Sequence, residues 1–196
     1  DSDFAIGLKI FPTITSGPPP LALDNDLDLA DSLGAQALSV YIAPAGTSTP
    51  SLDSLAHTLA DERGGRQLIV ALDLSDERTP AVARQAAFFD ARAADVARII
   101  YALHPDIIVP AIDPNGAATR ALGRIPIALW ISYFRRTATI AHQAKPSVRV
   151  LAHIGGYGAR DSALYVWAAA PASPIDAIGF TLTPWLGGAA TLDARA

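Results

Sequence analysis

The 196-residue sequence has neither cysteine nor methionine. Without cysteine there are no disulfides, thiolate metal sites or cysteine nucleophiles, and the compartment is left open. Without methionine, Asp1 is not a translation start. The expectation is that an upstream segment has been removed, by cleavage of an export signal or by trimming, and that the protein is extracytoplasmic, periplasmic or secreted. Lysine is almost missing: Lys9 and Lys145 stand against 13 scattered arginines in a chain of net charge −4. No basic cluster forms, so nucleic acid is not an expected partner. No apolar run reaches the ~18 residues that a membrane span needs. No transmembrane segment is expected in this chain.

What is present is apolar. Hydrophobic residues make up 51% of the chain and alanine alone contributes 39 positions. That suffices for one sizeable core, and the expectation is a single domain over residues 1–196. The alanine and arginine usage fits a GC-rich bacterial genome. Short apolar runs alternate with amphipathic stretches along the chain. Strands are expected at residues 4–10, 37–43, 67–72, within 104–116 where the apolar run ends at Asp113, and at 148–154 and 175–182. The run at 67–72 is continuous, as expected of a strand covered on both faces. Pro110 donates no ladder hydrogen bond, which predicts an irregularity there.

Between the strands, Leu27, Ala30 and Leu33 mark a short helix stopped by Gly34. Ser51 can cap a helix carrying Leu52, Leu55, Ala56 and Leu59. Thr79-Pro80 reads as the start of a helix over 81–103, with Val82, Ala86, Phe89, Ala93, Val96 and Ile100 on one stripe. Helices are also expected over 126–144, with Trp130 and Phe134 inward, and over 161–170, with Leu164 and Trp167 inward. Residues 189–196 resemble the start of another. Six βα units in succession define an α/β fold, a (β/α) TIM-type barrel that is incomplete or irregularly closed, with a doubly wound open sheet as the alternative.

In parallel α/β folds ligands bind at the carboxyl ends of the strands. Three strands end there in polar groups: strand three in Asp73, strand four in Asp113-Pro114-Asn115-Gly116, and strand five in His153. Asp113 can be an acid in a cleft or a turn aspartate bonding to backbone amides, and its neighbours favour the turn. Asp73 can hold a sugar hydroxyl or a structural partner. His153 stands where a ligand contact would stand, although a lone histidine is more often simply hydrogen-bonded. Trp185 follows strand six between Pro184 and Gly187-Gly188 and could stack on a sugar ring. The segment Gly155-Gly156-Tyr157-Gly158 matches no phosphate-loop pattern and reads as a sharp turn. His57, His104 and His142 show no metal-ligand spacing, so neither metal nor cofactor is expected.

Several strand ends together resemble a known family. They are Leu33-Gly34-Ala35, Val70-Ala71-Leu72-Asp73, Ala111-Ile112-Asp113-Pro114-Asn115, Val150-Leu151-Ala152-His153 and Ile178-Gly179-Phe180-Thr181-Leu182-Thr183-Pro184-Trp185. In order and spacing they are similar to the arabinogalactan endo-galactanase-like members of the clan of retaining (β/α)8 glycoside hydrolases. The resemblance implies that strand four ends in an Asn-Glu pair carrying the acid/base, and that a glutamate after strand seven is the nucleophile. Asp113 and Ile112 stand at the positions of the pair, and both depart from it. No residue matches the nucleophile, whereas a retaining mechanism needs two carboxyl groups ~5 Å apart.

Two functions follow as expectations. One is a barrel without catalysis that acts as a binding or structural subunit in a larger assembly, taking an oligosaccharide or a protein partner over the open barrel edge. Its ligand contacts would be Asp73, Asn115, His153 and Trp185. The other is a retaining endo-acting glycoside hydrolase with Asp113 as acid/base and its nucleophile strand outside this chain.

Overall fold

A computed structural model describes residues 7–10, 21–75, 77–78, 80–155 and 158–180, with the backbone alone described at 7–10, 21–24 and 62. Strands and helices alternate: β1 (Gly7–Ile10), α1 (Leu21–Ser32), β2 (Ala37–Ile42), α2 (Thr49–Glu62), β3 (Gln67–Leu72), α3 (Gln85–Leu103), β4 (Ile107–Val109), α4 (Ala117–Leu122), α5 (Ile127–Ala144), β5 (Arg149–Ile154), α6 (Ala159–Ala168) and β6 (Ala177–Phe180). The strands lie side by side in the order β1-β2-β3-β4-β5-β6, and every neighbouring pair is parallel. A doubly wound sheet reverses its strand order at a switch point. Here the order never reverses, so that alternative is excluded and the arrangement is of barrel type.

The register sorts side chains into two faces. Leu38 pairs with Leu68, Val40 with Val70, Ile42 with Leu72, Val70 with Ile108 and Ile108 with Val150. These residues are buried and belong to one hydrophobic core with the inner faces of the helices. On the opposite face the alternate positions Ser39, Tyr41, Ile69, Leu151, His153, Ala177 and Gly179 are half-buried, whereas Ala37, Ala71, Ile107 and Val109 are buried. Only the helix side of β3 is sealed along its length, which corrects the reading of 67–72 as covered on both faces. Strand β4 stops at Val109, so Pro110 ends the ladder instead of interrupting it.

The packed seam between α3 and α5 is aromatic. Phe89 meets Trp130 edge-on at 4.9 Å between ring centroids, and Tyr133 at 5.0 Å. Trp130, Tyr133 and Phe134 are fully buried. The Tyr133 hydroxyl donates to the Pro110 carbonyl at 2.8 Å, which ties this seam to the end of β4. The expected stripe of α3 holds for Phe89, Ala93, Val96 and Ile100. It fails at its start: Val82 is 83% exposed, and Ala86 is exposed as well. Residues 82–84 form a separate tight turn, and α3 begins at Gln85, with Ala86 exposed in its first turn. Thr79, the expected cap, lies outside the described residues. The helix before β3 starts at Thr49, with Ser48 at the N-cap position and Ser51 bonded to it, three residues earlier than the Ser51 cap reading. Leu33 falls beyond the end of α1 and is exposed. Helix α4 has no apolar stripe long enough to be anticipated.

Two connections share one device at the amino-terminal foot of the sheet. Asp106, just before β4, accepts the Leu68 N–H at 2.8 Å, and Asp176, just before β6, accepts the Val150 N–H at 2.7 Å. Each carboxylate lengthens a parallel ladder by one bond. Arg63 pairs with Asp106, and His142 Nε2 lies 2.8 Å from Asp176 Oδ2.

Candidate functional site

At the carboxyl end of the sheet the half-buried face carries the polar groups. Tyr41 occupies the last such position on β2, opposite Ala71 of β3. The ladder runs on past Leu72, because the Asp73 N–H donates to the Ile42 carbonyl at 2.9 Å. Alternation therefore puts Asp73 on the same face as Tyr41. Burial raises the Tyr41 hydroxyl pKa, and the Asp73 carboxylate raises it further. Asp73 Oδ1 accepts the Ser75 N–H at 2.9 Å, closing an Asx turn over the strand end.

Asp113 and His153, 40 residues apart, are bonded. The Asp113 N–H donates to His153 Nδ1 at 2.9 Å. Nδ1 must be bare to accept, so the ring is neutral with its proton on Nε2. Burial lowers the His153 pKa, and the nearby Asp113 carboxylate opposes that in part. The Asp113 backbone is left-handed, at φ 43°, a conformation that short polar side chains tolerate best. Its Oδ2 accepts the Ala117 N–H at 2.7 Å, and its carbonyl accepts the Gly116 and Ala118 N–H groups. These bonds tie Asp113 to the first turn of α4, whose N-cap position is Gly116. The carboxylate is also wedged between two glycines: a Cβ at Gly116 or at Gly155 would overlap it. Both glycines are required by close approach.

Asn115 joins α4 to α6. Its Nδ2 donates to Asp161 Oδ1 at 3.0 Å, and its Oδ1 accepts from Arg160 Nε at 3.1 Å. Arg160 also donates to the Ile125 carbonyl, and Asp161 closes a box at the start of α6 with Gly158.

Of the residues singled out from sequence, Asp113 and His153 are bonded to each other at the β4–β5 mouth, and Asn115 is bonded instead to Asp161 and Arg160. Asp73 sits with Tyr41 at the β2–β3 mouth. Trp185 lies outside the described residues, as does the centre of the 155–158 turn. Sequence reasoning did not single out Tyr41, although its parity with Ser39 on β2 was a usable signal. Nor did it find Arg160 and Asp161, whose link to Asn115 spans more than 40 residues. Among the described residues no three His, Asp or Glu side chains gather as a metal site would require. Chemically, the mouth offers carboxylates, a phenol and a neutral imidazole, which suit hydroxyl-bearing ligands and proton transfer.

No family model matches the sequence. No curated protein matches it either. Solved structures do match, and they are glycoside hydrolases. The β-glycosidase BGL167 superimposes with a TM-score of 0.61 at 12% identity, over 92% of this chain and 65% of its own. A glycoside hydrolase family 30 subfamily 8 xylanase from Clostridium acetobutylicum gives 0.59 at 13% identity, over 92% of this chain and 50% of its own. An endo-1,4-β-mannanase from Eisenia fetida gives 0.51 at 13% identity, over 69% of this chain and 50% of its own. The chain spans about half the length of the mannanase and the xylanase it matches. At such identities the likeness is one of fold: this chain has the parallel barrel-type α/β fold found in those glycoside hydrolases.

Proposed function

We propose that this chain is a glycoside-hydrolase-type barrel unit in which the strand-four carboxylate has a structural task, and that it acts outside the cytoplasm as a binding or structural subunit, not as a hydrolase in its own right. The observation that carries this reading is the engagement of Asp113. An acid/base residue must exchange a proton with a glycosidic oxygen across an open cleft. Asp113 instead holds the first turn of α4, is wedged between Gly116 and Gly155, and has its own N–H tied to His153. Asp73, Asn115, His153 and Trp185 are the proposed contacts to an oligosaccharide. Among the described residues β6 has a paired strand on one side only, which supports a protein partner laid along that edge.

A second reading is a retaining endo-acting hydrolase whose nucleophile strand lies outside this chain. The observation favouring it is Asp113 Oδ1, which accepts no hydrogen bond among the described residues and stands at the β4 mouth. The motifs' likeness to arabinogalactan endo-galactanases makes β-linked galactan the first polymer to test.

The discriminating experiment is hydrolysis of aryl glycosides and of β-linked galactan, mannan, xylan and glucan by the protein and by Asp113→Asn. Asparagine also caps helices and tolerates the left-handed region, so the variant should stay folded. The subunit reading expects no turnover from either protein. Turnover that falls by ~10²-fold or more in Asp113→Asn would instead establish Asp113 as the proton donor.

A further inference from the structure

Away from the strand mouths, the outer surface between α2 and α3 carries a groove of about 290 Å³, lined by Thr49, Leu52, Asp53, Arg98, Tyr101 and Ala102. We propose that this groove is a binding site for a neutral pyranose, one or two rings of an oligosaccharide. Its chemistry is the argument. Tyr101 lies 65% exposed on a helix whose other aromatics are buried (Phe89) or half-buried (Phe88), so a large apolar ring is held in solvent at the groove wall. Aromatic faces in that position suit flat ligands with apolar C–H faces.

The polar groups are preset. Arg98 is anchored from behind: its Nε donates to the Thr47 carbonyl at 3.1 Å, and its Nη2 bonds the Asp95 carboxylate, which is 1% exposed. Arg92 holds the same carboxylate from its other oxygen, with Nε 2.7 Å from Oδ2. This network fixes the guanidinium of Arg98, a residue of the groove lining, and leaves its Nη1 unbonded among the described residues. Asp53 forms no ion pair among the described residues and supplies two acceptor oxygens, and Thr49 adds a hydroxyl. A planar donor, a planar acceptor and a hydroxyl around one exposed ring match the equatorial hydroxyls and the C–H face of a pyranose. The single positive and single negative charge cancel, so neither an anion nor a cation gains over a neutral ligand. At about 290 Å³ the groove lies just below the ~300–1,000 Å³ typical of ligand pockets, which limits the occupant to one or two rings. The site is separate from the strand mouths, and it stands whichever role Asp113 has.

The test is backbone amide NMR of the whole chain titrated with galactotetraose, mannotetraose, xylotetraose and cellotetraose, each to millimolar concentration. The expected result is saturable shifts centred on Leu52, Asp53, Tyr101 and Ala102 with at least one of the four sugars. Tyr101→Phe should bind within a factor of two to three of the parent, because the ring is kept. Tyr101→Ala should bind at least tenfold more weakly, with the rest of its spectrum unchanged. Shifts confined to residues near Tyr41, Asp73, Asp113 and His153 would overturn the groove and support the mouth as the sugar site. The same affinity in Tyr101→Ala, or no shift at the groove with any of the four, would overturn it as well.

Discussion

Gly155→Ala is the sharpest probe of the β4–β5 mouth. A Cβ at position 155 would lie 2.8 Å from the Asp113 Cβ and would overlap the carboxylate itself. The carboxylate cannot swing away to the other side, because Gly116 already packs there. Asp113 must therefore give up its bond from the Ala117 N–H and its own N–H bond to His153, at ~1 kcal/mol each. Residual overpacking adds ~1 kcal/mol or more. The expected cost is about 2–4 kcal/mol by urea denaturation, or roughly 5–15 °C in Tm for a chain of this size. The partner variant is Asp113→Gly, which removes the overlapping side chain and relaxes the left-handed backbone, offsetting in part the ~1 kcal/mol lost with the Ala117 bond. It should itself lie within ~1 kcal/mol of the parent. In the Asp113→Gly background Gly155→Ala should cost no more than ~0.5 kcal/mol, a coupling of about 2 kcal/mol in the double-mutant cycle. Equal costs of Gly155→Ala in both backgrounds would refute the wedge and with it the structural account of Asp113.

Three further predictions follow from the same contacts. Asp95→Ala leaves Arg92 and Arg98 without the buried carboxylate they share, and should lower stability by ~3 kcal/mol in urea, with little change if all three are made apolar together. Tyr133→Phe orphans the buried Pro110 carbonyl, and a loss of ~1–3 kcal/mol by thermal melting is expected. His153 has a folded-state pKa below its ordinary 6.5, so the unfolded chain binds its proton first. Its contribution to stability is therefore complete above pH 6.5 and declines as pH falls from there towards the folded pKa. His153→Asn keeps an acceptor for the Asp113 N–H without titrating, and its stability profile should be flatter than the parent's across that window.

Much of the fold was legible because it is written in local periodicity. The run 67–72 became β3 with those bounds, and Phe89, Ala93, Val96 and Ile100 face the core as their spacing demands. The turn role of Asp113 was also readable, since Asp-Pro-Asn-Gly selects a turn through the chemistry of four adjacent residues. Where reading failed at the start of this stripe, the helix itself had not yet begun. Val82 matches the stripe of α3 in spacing, yet a tight turn before Gln85 rotates it out to solvent.

The sequence by itself therefore determined the alternation of strands and helices, the apolar face of most helices and the polar character of the strand ends. Each is set by residues within one or two turns of one another, through side-chain period and backbone preference. Tertiary structure alone decided the unreversed strand order, the bond from the Asp113 amide to His153, the tie of Asn115 to Arg160 and Asp161, and the sharing of Asp95 by two arginines under the α2–α3 groove. Those contacts join groups on different strands and helices, or depend on what packs around them. Parallel pairing brings such groups together through a register that no local pattern specifies.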